Sequence, residues 1–167
     1  MGIEDFKHEI VRLFGDSAVV SIDENATPKA LIINPEVIKD VCQILADREG
    51  LFFDMLSCLT GIDNGPEVGT MEVVYNLYSI PLEHALMLKV ILPRENPEVE
   101  SLCSVYMAAE WHEREAYDLL GIQFRNHPDL RRILMPADWE GHPLRKDYVE
   151  PEEYRGMKTV REEDDPI

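Results

Sequence analysis

Met71-Glu72-Val73-Val74-Tyr75-Asn76-Leu77-Tyr78-Ser79-Ile80 is followed, after Pro81-Leu82-Glu83-His84, by Ala85-Leu86-Met87-Leu88-Lys89-Val90-Ile91-Leu92. Both runs are rich in Val, Ile, Leu and Tyr, and a proline-containing break separates them. They predict two strands joined by a connection too short for a crossover, hence an antiparallel pair. Upstream, residues 51–62 form a third apolar run, set off by the turn cluster Asp63-Asn64-Gly65-Pro66. Val19–Ile22 and Ala30–Ile33 are short β-branched stretches on either side of Asn25-Ala26-Thr27-Pro28, which reads as a hairpin or loop.

Helical spacing flanks these strands. Ile3, Phe6, Ile10 and Leu13 recur at helical steps before Gly15. Asn34-Pro35 opens a second helix, with Asn34 as its cap, Pro35 at its first position and Gly50 ending it. Its apolar face is Val37, Ile38, Val41 and Leu45. Leu102, Val105, Tyr106, Ala109, Ala116 and Leu119 predict a third helix over 98–120, stopped by Gly121. The expected fold class is α+β: an antiparallel sheet of about four strands packed by helices. A chain of 167 residues fits one domain and buries roughly 70% of its unfolded surface without help from a disulfide or metal.

After Gly121 the periodicity stops. Residues 122–148 contain Pro128, Pro136, Gly141 and Pro143, but also Phe124, Ile133, Leu134, Met135, Trp139 and Tyr148. That is too apolar for disorder and too long for an idle loop. The expected organisation is an α+β domain over 1–121, an extended, ordered docking arm over 122–148 and a solvated acidic tail over 149–167.

Charge narrows the function. Sixteen Lys and Arg stand against thirty-three Asp and Glu, a net charge of −17. This balance repels nucleic acid and anionic lipid, so contact with a membrane needs an intermediary. Cys42, Cys58 and Cys103 are far apart, with no C-x-x-C. They do not suggest a disulfide framework or a cysteine-ligated cluster, and read as reduced core residues. Met1-Gly2-Ile3-Glu4-Asp5 does not resemble a secretory leader, and no apolar run reaches membrane-spanning length. A reducing cytoplasm is the expected compartment.

Two constellations stand out. In Trp111-His112-Glu113-Arg114-Glu115-Ala116-Tyr117-Asp118, the helical spacing puts Glu110, Arg114 and Asp118 on one face, where Arg114 can bridge both carboxylates. The plain alternative is a solvated charged face. Between residues 125 and 146, five basic residues (Arg125, Arg131, Arg132, Arg145, Lys146) outnumber three acidic ones, with His127, His142 and Trp139 among them. Arginine and aromatic residues together are the composition of a protein interface. His112, His127 and His142 could be imagined as ligands of a free-standing metal enzyme, but Ala116 stands where H-E-x-x-H needs its second His. There is no Gly-rich phosphate loop and no G-x-S-x-G elbow. An interaction protein is the leading class.

Glu113-Arg114-Glu115-Ala116-Tyr117-Asp118-Leu119-Leu120-Gly121-Ile122-Gln123-Phe124, followed by His127-Pro128-Asp129-Leu130-Arg131-Arg132-Ile133-Leu134, closely resembles the signature of the respiratory complex I thirty-kilodalton subunit family. The continuation from Met135 to Tyr148 is similar to it as well, so the resemblance covers residues 111–148. It implies a non-catalytic scaffold subunit in the hydrophilic arm of NADH:quinone oxidoreductase, bound peripherally through the complex to the cytoplasmic face of the membrane. It implies no cofactor in this chain, with FMN, iron–sulfur clusters and quinone held by partner subunits. The implied partners are first the forty-nine-kilodalton (D) subunit, which shapes the quinone pocket, and then the B and I subunits. Glu110, Arg114, Glu115, Asp118, His127, Arg131, Arg132, Trp139, His142 and Arg145 are the expected docking residues. The equivalent subunit of a membrane-bound hydrogenase, or of a ferredoxin-linked, F420-linked or plastoquinone oxidoreductase, is the alternative within the same resemblance.

Overall fold

Along β4 (Thr70–Ser79), Met71, Val73, Tyr75 and Leu77 are buried, while Glu72, Asn76 and Tyr78 on the other side are only partly covered. The computed structural model, which describes residues 2–159, shows why. β4 is flanked by β3 (Met55–Asp63) and β5 (His84–Pro93), both antiparallel to it. Leu86, Leu88, Val90 and Leu92 of β5 continue the same buried face. β1 (Val19–Asp23) and β2 (Ala30–Ile33) form the expected hairpin.

The sheet has five strands, in the order β1-β2-β5-β4-β3, and β2 runs parallel to β5. The expectation of about four antiparallel strands thus becomes five, with one parallel pair. The parallel pair arises because α2 (Ile38–Asp47), β3 and β4 intervene between β2 and β5. Such pairing needs a long crossover, and this one is long enough.

One face of the sheet holds the core. α1 (Ile3–Phe14) contributes Phe6 and Ile10, and α2 contributes Ile38, Val41, Cys42 and Leu45. Asn34 caps as expected, accepting the Glu36 N–H at 3.0 Å. Pro35–Val37 is a single 3-10 turn before α2, and the helix ends at Asp47 rather than running to Gly50. Of the cysteines, Cys42 is in the core, while Cys58 and Cys103 are half-buried.

The helix expected over 98–120 is shorter. Glu98–Glu100 is a strand, β6, paired in parallel with β7 (Gln123–Arg125), and α3 begins only at Ala109. The helical spacing upstream is real, but single turns satisfy it. The Val105 and Tyr106 amides donate to the Leu102 carbonyl at 2.8 Å, and the Ala109 amide to that of Tyr106 at 3.0 Å. The segment is held in this form by Glu113, whose carboxylate accepts the Leu102 N–H and the Ser101 hydroxyl, each at 2.7 Å.

α3 (Ala109–Leu120) packs along β3, an edge strand. Gly61 permits this approach, because a Cβ there would lie 2.5 Å from Leu120 Cδ1 and 2.9 Å from Ile122 Cδ1. Gly121 caps α3 in the left-handed region, at φ 79°. Its bare Cα leaves room for the His142 and Arg145 side chains, whose nearest atoms would be 2.6 and 2.8 Å from a Cβ.

Residues 126–148 lie back on the domain. The Leu144 amide donates to the Leu119 carbonyl at 3.0 Å. A small hairpin, β8 (Glu153–Tyr154) and β9 (Met157–Lys158), follows. Tyr154 packs on Trp139, with ring centroids 5.0 Å apart, and its hydroxyl donates to Asp138 at 2.7 Å. Residues 160–167 of the expected tail lie outside the described residues.

Candidate docking site

Asp118 organises the junction of α3 and the arm. It is fully buried. One carboxylate oxygen accepts Arg132 Nη1 at 2.7 Å, and the other accepts the amides of Ile133, Leu134 and Met135 at 3.0, 2.7 and 2.8 Å. Burial by itself raises this carboxyl's pKa. The Met135 and Leu134 amides, Arg132 and the Ile133 amide outweigh it and hold the group below its usual range.

Arg114 performs the complementary task. It does not bridge Glu110 and Asp118 as the helical spacing predicts. Its Nε and Nη2 donate to the carbonyls of Arg131 and Arg132, both at 3.1 Å. The correction has a simple cause: Asp118 is already saturated by the arm, while the arm's bent backbone leaves two carbonyls facing the helix. Arg114 also stands 5.5 Å from the centroid of the Trp111 ring.

The remaining expected residues fall into two groups. His127, Arg132, His142 and Arg145 face inward. Asp129 N–H donates to His127 Nδ1 at 3.0 Å, so His127 Nε2–H donates to the Glu110 carbonyl at 3.1 Å. His142 Nδ1–H donates to the Asp118 carbonyl at 2.9 Å, and Arg145 Nε to that of Leu120 at 2.7 Å. Burial of His142, with Arg145 and Arg132 nearby, lowers its pKa. Arg132 Nη2 donates to the Gly141 carbonyl at 2.9 Å. These residues fasten the arm to α3. Trp139 donates to the Tyr148 hydroxyl at 3.0 Å, and Arg131 pairs with Asp129 at 2.8 Å on the surface. Glu115 is exposed, beside Trp111, Leu134 and Leu144.

His112, His127 and His142 do not converge; each ring engages a different piece of backbone. Among the described residues, Cys103, Glu113 and His127 bring potential ligand atoms within 4.8 Å of one another. Both His127 nitrogens are occupied as described, and Glu113 is bonded to Ser101 and Leu102. Burial pushes the Cys103 thiol up to about 11. The trio is a hydrogen-bonded network rather than an open ligand set.

A second anchor has no counterpart among the expected docking residues. Asp63 is buried at the end of β3 and accepts Arg94 through both oxygens, at 2.7 and 3.0 Å. It also accepts the amides of Gly65 at 2.9 Å and Lys146 at 2.8 Å. Arg94 in turn pairs with Asp147. The far end of the arm is therefore fastened to the β3–β4 turn. The available signal was the scarcity of cations: Lys89 and Arg94 are basic residues in a strongly acidic stretch. Lys89 binds Asp23 at 2.7 Å and Glu72 at 3.2 Å.

Residues 31–154 match the family described as respiratory-chain NADH dehydrogenase, 30 Kd subunit. The chain belongs to this family. The NADH-quinone oxidoreductase C subunit of Chloroherpeton thalassium is 43% identical over 148 residues, or 87% of this chain and 60% of the relative. Its counterpart in Chlorobium phaeobacteroides is 42% identical over 155 residues, 91% of this chain and 92% of the relative. The matched part thus spans about three-fifths of the first relative and nearly all of the second. Among solved structures, a trypsin-resistant fragment of Nqo5 is 25% identical with a TM-score of 0.59, covering 75% of this chain and 99% of the fragment. A chain of the archaeal membrane-bound sulfane sulfur reductase shares the fold at 22% identity and a TM-score of 0.69, covering 87% and 85%. The 30 kDa family match includes both anchoring carboxylates, Asp63 and Asp118, and the whole of the arm.

Glu113 adds a pH response. Burial pushes its carboxyl up to about 7, against the opposing pull of the Ser101 hydroxyl, the Leu102 amide and Cys103. An unfolded Glu titrates at about 4.3. Between these values the folded chain holds the extra proton, so its stability falls as pH rises through the window and levels off above it. Thermal midpoints measured from about pH 4.5 to about pH 8 should decline, and Glu113→Gln should flatten that decline while keeping one acceptor oxygen, enough for the Leu102 amide but not for the Ser101 hydroxyl as well.

Proposed function

We propose that this chain is a non-catalytic scaffold subunit of the hydrophilic arm of NADH:quinone oxidoreductase. In this reading it braces the forty-nine-kilodalton subunit, which shapes the quinone site, and lies near the B and I subunits on the cytoplasmic face of the membrane. FMN, iron–sulfur clusters and quinone belong to the partners. Relatives named as the C subunit of NADH-quinone oxidoreductase, at 40–43% identity, favour this over the hydrogenase-like and ferredoxin-linked alternatives. The observation that carries the reading is the fastening of the arm to α3 by Asp118 and Arg114. A segment without regular secondary structure becomes a fixed surface, which is what a docking element needs in order to bind without a large ordering cost.

Affinity purification of the tagged chain from membranes tests this directly: the forty-nine-kilodalton, B and I subunits should co-elute. Arg114→Ala removes two charge-assisted hydrogen bonds, worth about 1.5–3 kcal/mol each. It should lower the yield of assembled complex several-fold on native gels and reduce quinone reduction in proportion. NADH oxidation with an artificial acceptor should persist in partial assemblies. Assembly at full yield with slow turnover would contradict a purely structural role.

A further inference from the structure

We propose that the groove between the β3 edge and the outer face of α3 receives a segment of a neighbouring subunit that presents one Lys or Arg between apolar side chains. The inference rests on the scaffold reading and specifies the chemistry of its contact. Two adjoining depressions share His112 and Glu115. One is bounded by β3 and Leu144, the other by Trp111, Ile133 and Leu134. Trp111, Leu134 and Leu144 are each 60% exposed, which is high for three large apolar side chains lining two depressions that share His112 and Glu115. The backbone beneath them is held firmly: Leu134 by its amide bond to Asp118, and Leu144 by its amide bond to the Leu119 carbonyl.

Charge identifies the occupant. Glu115 stands at the centre of this apolar rim, and among the described residues no cation or hydrogen-bond donor meets its carboxylate. The neighbouring cation, Arg114, is committed to the Arg131 and Arg132 carbonyls, and His112 Nδ1 accepts the Leu59 amide at 3.4 Å. A purely apolar occupant would strip water from a bare carboxylate, which is costly. An occupant bringing one guanidinium or ammonium turns that cost into a charge-assisted bond, while its apolar flanks cover Trp111, Leu134 and Leu144. The chain's net charge of −17 steers basic partners in the same sense. Because His112 already takes the Leu59 amide, strand addition at that point of the β3 edge is blocked, and the occupant must be held by side chains.

The test uses the assembled complex in membranes. A photo-crosslinking amino acid at Leu144, and separately at Leu134, should join the chain to one segment of another subunit. That segment should contain a Lys or Arg within a few residues of the cross-link, flanked by apolar residues. Glu115→Lys should reduce assembled complex at least ten-fold. Reversing the sign of the partner cation should restore it, and the thermal midpoint of the chain should be unchanged because, among the described residues, no donor meets the Glu115 carboxylate. Cross-links to a second copy of this chain, to its own C-terminal residues or to a segment without a cation would overturn the proposal. So would no cross-link, or normal assembly of Glu115→Lys. In each of those cases a chain that still co-purifies with the complex leaves the scaffold reading intact, whereas a chain absent from the complex removes that reading first.

Discussion

Asp118→Ala should destabilise the chain by about 3–5 kcal/mol, the usual result of removing one member of a buried ion pair. The residue has no exposed surface and serves four donors, so the change leaves the Arg132 charge without its carboxylate and three backbone amides without an acceptor. Desolvated donors without acceptors are costlier than the bonds were worth. For a chain of this length the thermal midpoint should fall by roughly 10 °C. The loss should also be local: limited proteolysis should cut first between residues 126 and 140, before the sheet opens. Asp118→Asn keeps one acceptor oxygen and should lie between wild type and Ala. A thermal midpoint within about a degree of wild type, with the arm still resistant to protease, would show that the remaining contacts, those of Arg114, His127, His142 and Arg145, suffice to hold it.

Asp63→Ala should have the second-largest effect, again about 3–5 kcal/mol, with its consequence at the opposite end of the arm. Arg94 would lose both of its short contacts to Asp63, and the Gly65 and Lys146 amides would lose their acceptor. Arg94 holds this carboxyl far below the usual carboxylate range, assisted by the two amides against the opposing effect of burial. A depressed folded pKa contributes stability that is fully present above the unfolded value of about 3.9 and is lost as pH falls below it toward the folded value. Wild type should therefore show a steep acid limb below about pH 4. In Asp63→Asn that limb should be flatter and the plateau at neutral pH lower. Urea titrations at about pH 3 and about pH 7 would measure both.

The strands were legible because their runs are rich in β-branched and aromatic residues, such as Val73, Val74, Tyr75 and Tyr78, and are set off by turn residues, Asp63-Asn64-Gly65-Pro66 before and Pro81 after. The caps at Asn34 and Gly121 were legible for similarly local reasons, a side-chain oxygen and a left-handed backbone. What could not be read was non-local. The parallel pairing of β2 with β5 joins residues such as Ala30 and Met87, and no window of sequence contains both. The stretch from Leu102 to Ala109 imitates a helix because consecutive turns repeat nearly the same spacing. At the docking site, the residue types were visible but not their partners. Arg114 and Asp118 looked like one charged helix face and Arg132 like part of a separate basic stretch, yet they form a buried clasp, since a carboxylate's choice between a helical neighbour and three distant amides depends on where the arm returns. Asp63 and Arg94 lay in plain turn and strand contexts, and only the fold brings Lys146 and Asp147 to them.

The position of β2 between β1 and β5 has a consequence for how the chain is made. On an emerging polypeptide, the β1–β2 hairpin is complete long before the strand that will neighbour it has left the ribosome. Until Met87, Leu88 and Lys89 arrive, one margin of that hairpin carries unspent backbone bonds. Maturation of the sheet therefore waits on its last long strand, and a nascent chain stalled before it presents the open edge of β2, a template for pairing with other chains.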